Sequence, residues 1–208
     1  MQDLPTPAER FIQGILPENP VYRQFLGLCP TLAVTGGLKP ALTMAAAVGF
    51  VLLGANISTS LIRNLLKPHL RIVVFTLTIA TFVTVVDRFL AAYMYQMSKA
   101  LGPYIPLIIV NCIIICRCEV CASRQSVPAA AADAVGQAAG FALALAGIAT
   151  VRELLGTGML AGFQVLPVNW PAWVIMVLPP GAFLTFGLLL ALVNWIDTAR
   201  SNGEGRKR

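Results

Sequence analysis

Charge is in short supply here. Only 12% of the 208 residues are Asp, Glu, Lys or Arg, whereas 57% are hydrophobic and the mean hydropathy is +0.77. A soluble domain of this length cannot hide that much apolar surface, but a bundle of helices in lipid need not hide it. Aromatic residues make up 8%, and the single histidine, His69, stands alone beside Pro68 and suggests no metal site. The net charge of +6 does not come from a basic patch interleaved with aromatics, so nucleic acid is not the expected partner. No Gly-rich dinucleotide loop occurs, which leaves no nicotinamide or flavin site in this chain. The first twenty residues, MQDLPTPAERFIQGILPENP, lack the apolar stretch of a signal peptide. The composition points to an integral membrane protein with an uncleaved N-terminus, embedded in a lipid bilayer.

Four long apolar runs cover residues 41–62, 70–95, 134–151 and 172–196. Each is close to the ~20 residues needed to cross ~30 Å of hydrocarbon. Two shorter runs, 25–38 and 104–116, complete the series; the first contains Gly27 and the Cys29-Pro30 pair, and the second stops at Arg117. The order is short-long-long, then short-long-long. Three spans per half is an odd number, so a repeated half must be inserted upside down. The expected fold is an all-α integral membrane protein of six transmembrane helices, built as two inverted three-helix repeats with the first and fourth spans short or interrupted. Interrupted spans at matching places in inverted halves mark a binding site. Residues 1–19 form a cytoplasmic N-terminal segment, 20–198 the membrane domain and 199–208 a basic cytoplasmic tail. Thr6-Pro7-Ala8-Glu9 has the pattern of a helix capping box, and a partly ordered tail is the competing reading.

Positive charge orients the bundle. With both termini in the cytoplasm, eleven Lys and Arg lie inside, including Arg63, Arg71, Arg117 and Arg200; four lie outside, namely Lys39, Arg88, Lys99 and Arg152. Tyr93, Tyr95, Tyr104, Trp170 and Trp173 then form an outer aromatic belt. Among polar residues in the spans, Asn56, Ser58 and Thr59 are expected to bond neighbouring helices. Arg152 and Glu153 are expected to form a charge pair, and Asp87 and Arg88 to pair or snorkel. Pro179-Pro180 should kink the last span.

Four of the five cysteines fall within VNCIIICRCEVC, residues 110–121. On a helix, Cys116 shares a face with Cys112, while Cys118 and Cys121 point the other way. Four sulfurs spread along ~13 Å of axis cannot all ligate one small cluster. A cysteine in a membrane helix is commonly an apolar filler, and Cys116, Cys118 and Cys121 are read as such. Cys29 and Cys112 differ. At the helical rise, Cys29 lies roughly 14 Å from one face and Cys112 about 15 Å from the other. Two thiols on matching short spans meet near the midplane, with Asn111 as polar support. A 2Fe–2S cluster takes four cysteines, so this chain could ligate half of one.

These residues also carry a family resemblance. LGLCPTLAVT at 26–35, Arg71, Ile79-Ala80-Thr81-Phe82-Val83-Thr84 with Asp87, Ile105-Pro106-Leu107-Ile108 with Val110-Asn111-Cys112, and Arg152-Glu153-Leu154-Leu155-Gly156 are the segments concerned. They resemble the paired membrane subunits of the Rnf complex (A and E) and of the sodium-translocating NADH:quinone reductase (D and E). The likeness runs from about Asn19 to Asp197. Cys29-Pro30-Thr31 and Leu178-Pro179-Pro180-Gly181-Ala182-Phe183 are more similar to the E-type protein of the Rnf branch. The resemblance implies an inverted homologous partner of the Rnf A type, together with the other subunits of the complex, in the bacterial inner membrane. It also implies a 2Fe–2S cluster shared through Cys29 and Cys112, and electron transfer between ferredoxin and NAD coupled to sodium or proton movement. The chain would then be a non-catalytic electron relay. Cys116, Cys118 and Cys121 depart from the family pattern.

Two other classes compete. A small inverted-repeat secondary transporter would work without iron and tolerate loss of both cysteines. A thiol-redox protein using Cys116, Cys118 and Cys121 lacks the C-x-x-C helix start that favours a thiolate.

Overall fold

A computed structural model of the chain describes residues 19–63, 70–160, 163–164 and 173–205. Its elements begin with α1 (Leu28–Val34), α2 (Leu38–Ile62), α3 (Arg71–Tyr93) and α4 (Tyr95–Leu101). A 3-10 turn (Ile105–Ile108), α5 (Cys112–Arg117) and a π-helical turn (Cys118–Ala122) follow. The chain continues with α6 (Val127–Thr157), a small antiparallel hairpin of β1 (Met159–Leu160) and β2 (Phe163–Gln164), α7 (Val174–Val177) and α8 (Pro179–Gly205). Five stretches are long and apolar enough to cross a membrane: Leu38–Ile62, Arg71–Tyr93, Ile105–Ala122, Val127–Thr157 and Pro179–Ile196. The fold is the expected all-α, multi-pass kind. A sixth full crossing is not among these stretches, because the first short run holds only the seven-residue α1.

The long helices α2 and α6 form the centre. In lipid, helices gain little by hiding apolar surface from one another, so association depends on close packing, which small side chains allow. Ala41, Ala45 and Ala55 of α2 and Ala130, Ala134 and Ala144 of α6 are all buried. The backbones come close enough that a Cβ added at Gly49 would lie 3.2 Å from the Ala138 methyl. Hydrogen bonds give the direction. The Leu38 N–H donates to Glu153 Oε2 at 2.7 Å, Asn56 Nδ2 to the Ala130 carbonyl at 3.4 Å, and Ser60 Oγ to the Gln125 carbonyl at 2.9 Å. As numbers rise on α2 they fall on α6, so the pair is antiparallel. Middle helices of two oppositely inserted halves must be so arranged. Asn56 thus bonds a neighbouring helix, as expected from its position.

By contrast, α3 and α8 lie outside this pair. They turn Leu77, Val85, Phe89, Phe183, Leu184 and Leu188 outwards, an apolar face suited to lipid. The described aromatics Tyr93, Tyr95 and Trp173 are exposed at or beside helix ends, and Trp195 is exposed near the end of the apolar stretch Pro179–Ile196.

Several boundaries differ from the sequence reading. The fifth span extends well past 134–151, taking Asp133 and Arg152 into its buried face. The last run is broken at Leu178 rather than kinked, since Pro179 and Pro180 both lack an N–H to donate. The α8 backbone continues beyond residue 198 as far as Gly205. Arg117 and Arg152 are buried and do not serve as loop charges; removing one from each side leaves ten against three. The Thr6–Glu9 pattern, His69 and Trp170 lie outside the described residues.

Candidate functional site: two broken spans meeting at Cys112

The first break precedes α1. Asn19 fastens the chain to α6, its Nδ2 donating to the Gly140 carbonyl at 3.0 Å. Its Oδ1 accepts from the N–H groups of Val21 (3.0 Å) and Tyr22 (3.1 Å). The backbone then turns through Phe25 (φ 55) and Gly27 (φ 73). Left-handed backbone is cheap for glycine and costly for phenylalanine. Gly140 is near the middle of α6, so this irregular segment is anchored on protein at Asn19, Val21 and Gly27, which are buried, while Arg23 and Phe25 are exposed on this chain. The sequence suggests an opening at Pro30. The structure puts it at Phe25–Gly27, and Pro30 falls in the first turn of α1, where a missing N–H costs nothing.

The second break precedes α5. After the 3-10 turn, Asn111 is extended (φ −66, ψ 117) and caps α5, its side chain accepting from the Ile113 N–H at 3.2 Å. Cys112 is therefore the first residue of a new helix, not a point within one continuous helix. The Asn111 amide nitrogen is buried and has no hydrogen-bond partner among the described residues.

These two breaks meet. The Gly27 N–H donates to Cys112 Sγ at 2.9 Å. A Cβ on Gly27 would lie 2.5 Å from Ile113 Cδ1 and 3.1 Å from Phe141, again at the middle of α6. From this junction α1 runs towards Thr35, which contacts Arg152, while α5 runs towards Arg117, which contacts Asp133. The half-helices therefore start together and run apart, N-terminus to N-terminus. Counting at helical rise from Pro20 does not hold, because residues 20–27 are not helical, but the two short spans do converge. Helix N-termini carry partial positive charge and unpaired N–H groups, and two facing each other favour an anion.

Cys29 is the second residue of α1, and both Cys29 and Cys112 are exposed on this chain. The remaining cysteines are elsewhere. Cys116 is half-buried; Cys118 and Cys121 are buried, with their sulfurs 3.5 Å from Asn56 Oδ1 and 3.7 Å from Gln125 Oε1. Among the described residues, no three His, Cys, Asp or Glu come together as a metal site. VNCIIICRCEVC does not close on itself.

Two buried charges escape a reading of the sequence. Arg152 does not pair with Glu153, whose carboxylate accepts from Leu38. Instead its Nε and Nη2 donate to the carbonyls of Met176 (3.0 Å), Val177 (3.0 Å) and Leu178 (3.2 Å), and its Nη1 to Thr35 Oγ1 (2.7 Å). These carbonyls border the break made by Pro179-Pro180; Pro180 has no N–H to offer the Met176 carbonyl, and Arg152 supplies donors to it and to its two neighbours. Nearby, Gly181 lies so close to the Met176 backbone that a side chain there would collide with it. Asp133 forms a 3.6 Å ion pair with Arg117, both buried. The available signal is Asp133 directly bordering an apolar run, since ionisable residues in spans are seldom incidental. Asp87 is half-buried and Arg88 exposed, and among the described residues no ion pair joins them.

The family described as "Rnf-Nqr subunit, membrane protein" matches residues 8–190. The chain is 44% identical over 183 residues to the E subunit of the Na(+)-translocating ferredoxin:NAD(+) oxidoreductase complex of Acetobacterium woodii, covering 88% of this chain and 93% of that protein. It is 42% identical over 193 residues to the E subunit of the ion-translocating oxidoreductase complex of Methanosarcina acetivorans, covering 91% of each. The protein of that name from Pseudoalteromonas atlantica is 42% identical over 198 residues, covering 89% of this chain and 85% of that one. A match over nearly the whole membrane domain, junction included, makes this chain a member of the Rnf-Nqr subunit family.

Proposed function

We propose that this chain is the E-type membrane component of an Rnf-type ion-translocating oxidoreductase, relaying electrons through a 2Fe–2S cluster that it half-ligates. The observation that carries this reading is the junction: two exposed thiols at the start of two facing half-helices, joined by the 2.9 Å Gly27–Cys112 contact. The donor set fits such a group. Cys29 and Cys112 supply two thiolates, and the facing N-termini offset negative charge. The Gly27 N–H bonds one ligand sulfur, and the buried Asn111 amide has a donor unused by the described residues. The exposure of both thiols leaves room for a partner protein to supply two more. When bound, the cluster accepts and releases one electron. The chain itself holds the ligands rigidly, excludes water with Ile113 and Phe141, and places the junction midway along α6.

The partner in this reading is an inverted homologue of the Rnf A type, and the location is the cytoplasmic membrane with both termini inside. The name of the Acetobacterium woodii relative, which gives ferredoxin, NAD(+) and Na(+), supports ferredoxin and NAD as electron partners elsewhere in the complex; the coupling ion in this reading is Na+ or H+. Iron, acid-labile sulfide and the reduced-state EPR signal test the reading in the purified complex. Cys29→Ala or Cys112→Ala should abolish the signal, whereas triple replacement of Cys116, Cys118 and Cys121 should retain it. Full cluster content in either single variant overturns the assignment. The transporter reading draws on a cavity of about 400 Å³ beside Cys29. It requires ion movement to persist without iron and in Cys29→Ser and Cys112→Ser.

A further inference from the structure

Arg152 is 3% exposed and lies where α6 passes the break in the last span. Its hydrogen bonds all go to uncharged acceptors, and among the described residues no carboxylate pairs with it. The guanidinium stays protonated, so one positive charge is left without a counter-charge in a poorly polarisable surrounding. Capping three carbonyls does not require that charge to be near the redox junction. Yet Arg152 and Cys29 line one cavity, together with Leu32, Ala33, Gly36 and Tyr104. Thr35, which accepts from Arg152, directly follows α1, the helix that begins with Leu28 and Cys29. Charges interact over longer distances where water does not screen them.

We propose that Arg152 sets the reduction potential of the group held by Cys29 and Cys112, its charge stabilising the reduced state. This inference rests on the cluster reading above. The step concerned is transfer of one electron from the donor protein of the complex, taking one iron(III) to iron(II), and of the same electron onward to the acceptor. No bond breaks and Arg152 exchanges no proton. Its contribution is purely electrostatic: the reduced site has one more negative charge, which Arg152 offsets. The same side chain ties the ligand-bearing half-span to the broken last span, so it fixes both the charge and its position.

The test is a potentiometric titration, in the intact complex, of the EPR signal that Cys112→Ala abolishes. Arg152→Gln should make reduction at least tenfold less favourable, a shift of about 59 mV to more negative potential for one electron. Arg152→Lys keeps the charge but not the three-carbonyl cap, and should retain most of the wild-type potential while lowering thermal stability. A purely structural role predicts the reverse: loss of stability in both variants with no difference in potential. A wild-type potential in Arg152→Gln, or an equal fall in Arg152→Lys, overturns the proposal. Should Arg152→Gln fail to assemble, Val177→Glu decides, because it adds a carboxylate at the exposed edge of the cavity that Arg152 lines, where it offsets the guanidinium charge. The potential must then fall, and an unchanged value overturns the proposal. If no signal responds to Cys112→Ala, the cluster reading itself fails, a different result from an unmoved potential.

Discussion

The two half-spans reach the same junction by different chemistry. Before α1 the chain bends through left-handed backbone at Phe25 and Gly27, and the α1 N-cap makes no side-chain hydrogen bond. Before α5 the backbone is ordinary and extended, and Asn111 closes the helix start with its side chain. One break depends on a residue without a side chain, the other on a residue with the right one. The halves therefore share an architecture rather than a sequence. A search for repeated residues between them would find little, while a search for breaks at matching places finds both. The comparison also separates two kinds of fragility: the glycine break is sensitive to bulk and the asparagine break to lost hydrogen bonds.

The largest expected effect removes the feature the halves have in common. Cys29→Ala and Cys112→Ala should each leave the purified complex with essentially no cluster signal, despite their different surroundings. If only one cysteine proves essential, the halves are not equivalent, and the symmetric-pair reading fails on that measurement.

Gly27→Ala comes next. A left-handed backbone costs a residue with a side chain about 1–2 kcal/mol before any contact is counted. The added Cβ would also lie 2.5 Å from Ile113 Cδ1, next to the proposed ligand Cys112. Displacing Ile113 disturbs α5 at its first turn, so a fall in cluster content should accompany the loss of thermal stability. Retained cluster content in a destabilised Gly27→Ala complex would show that the junction tolerates strain.

How much of this is legible in the sequence depends on the range of the interaction. Runs of apolar residues announce the spans, and Gly27 and the shortness of two runs mark where they break. Cys29 and Cys112 stand out together because they occupy matching places in the two halves, each close to one of the two breaks. The sequence points to an opening at Pro30, since a missing N–H is visible there, whereas a left-handed phenylalanine at position 25 follows no local preference. Arg152 misleads for another reason. Its adjacent residue is an obvious partner in sequence, but its acceptors are Thr35 and the carbonyls at 176–178, brought together only by packing. The π-helical turn at 118–122 has no readable signal at all.

Asn111 distinguishes the cap from the unused donor. Asn111→Ala removes both, and loss of the cap alone should cost about 1 kcal/mol. Asn111→Ser keeps an oxygen to accept from the Ile113 N–H, adds no charge and removes the amide nitrogen. If the buried donor serves only the fold, the serine variant should match wild type in cluster potential and EPR line shape. If it bonds the cluster, both should change in Asn111→Ser while thermal stability changes less than in Asn111→Ala. That pattern would identify a contribution from the α5 break that the Gly27 break, having no side chain, cannot make.

The smallest effect belongs to the cysteines that are conspicuous in sequence. Cys118 is buried with its sulfur 3.5 Å from Asn56 Oδ1, and Asn56 in turn donates to Ala130 on α6. The thiol thus belongs to the polar packing between α2, α6 and the π-helical turn, on the buried side of the element whose exposed start is Cys112. A serine there keeps a donor in a slightly smaller volume, so Cys118→Ser should cost less than about 1 kcal/mol. Cys118→Ala leaves Asn56 Oδ1 without this donor and should cost more, because a buried acceptor that loses its partner bears the desolvation cost alone. Neither change reaches the junction, so cluster content should be full in both. Thermal denaturation of the two variants with iron analysis on the same samples checks this ordering. Cluster loss in Cys118→Ser would move the redox site from the meeting of two half-spans into the crowded segment.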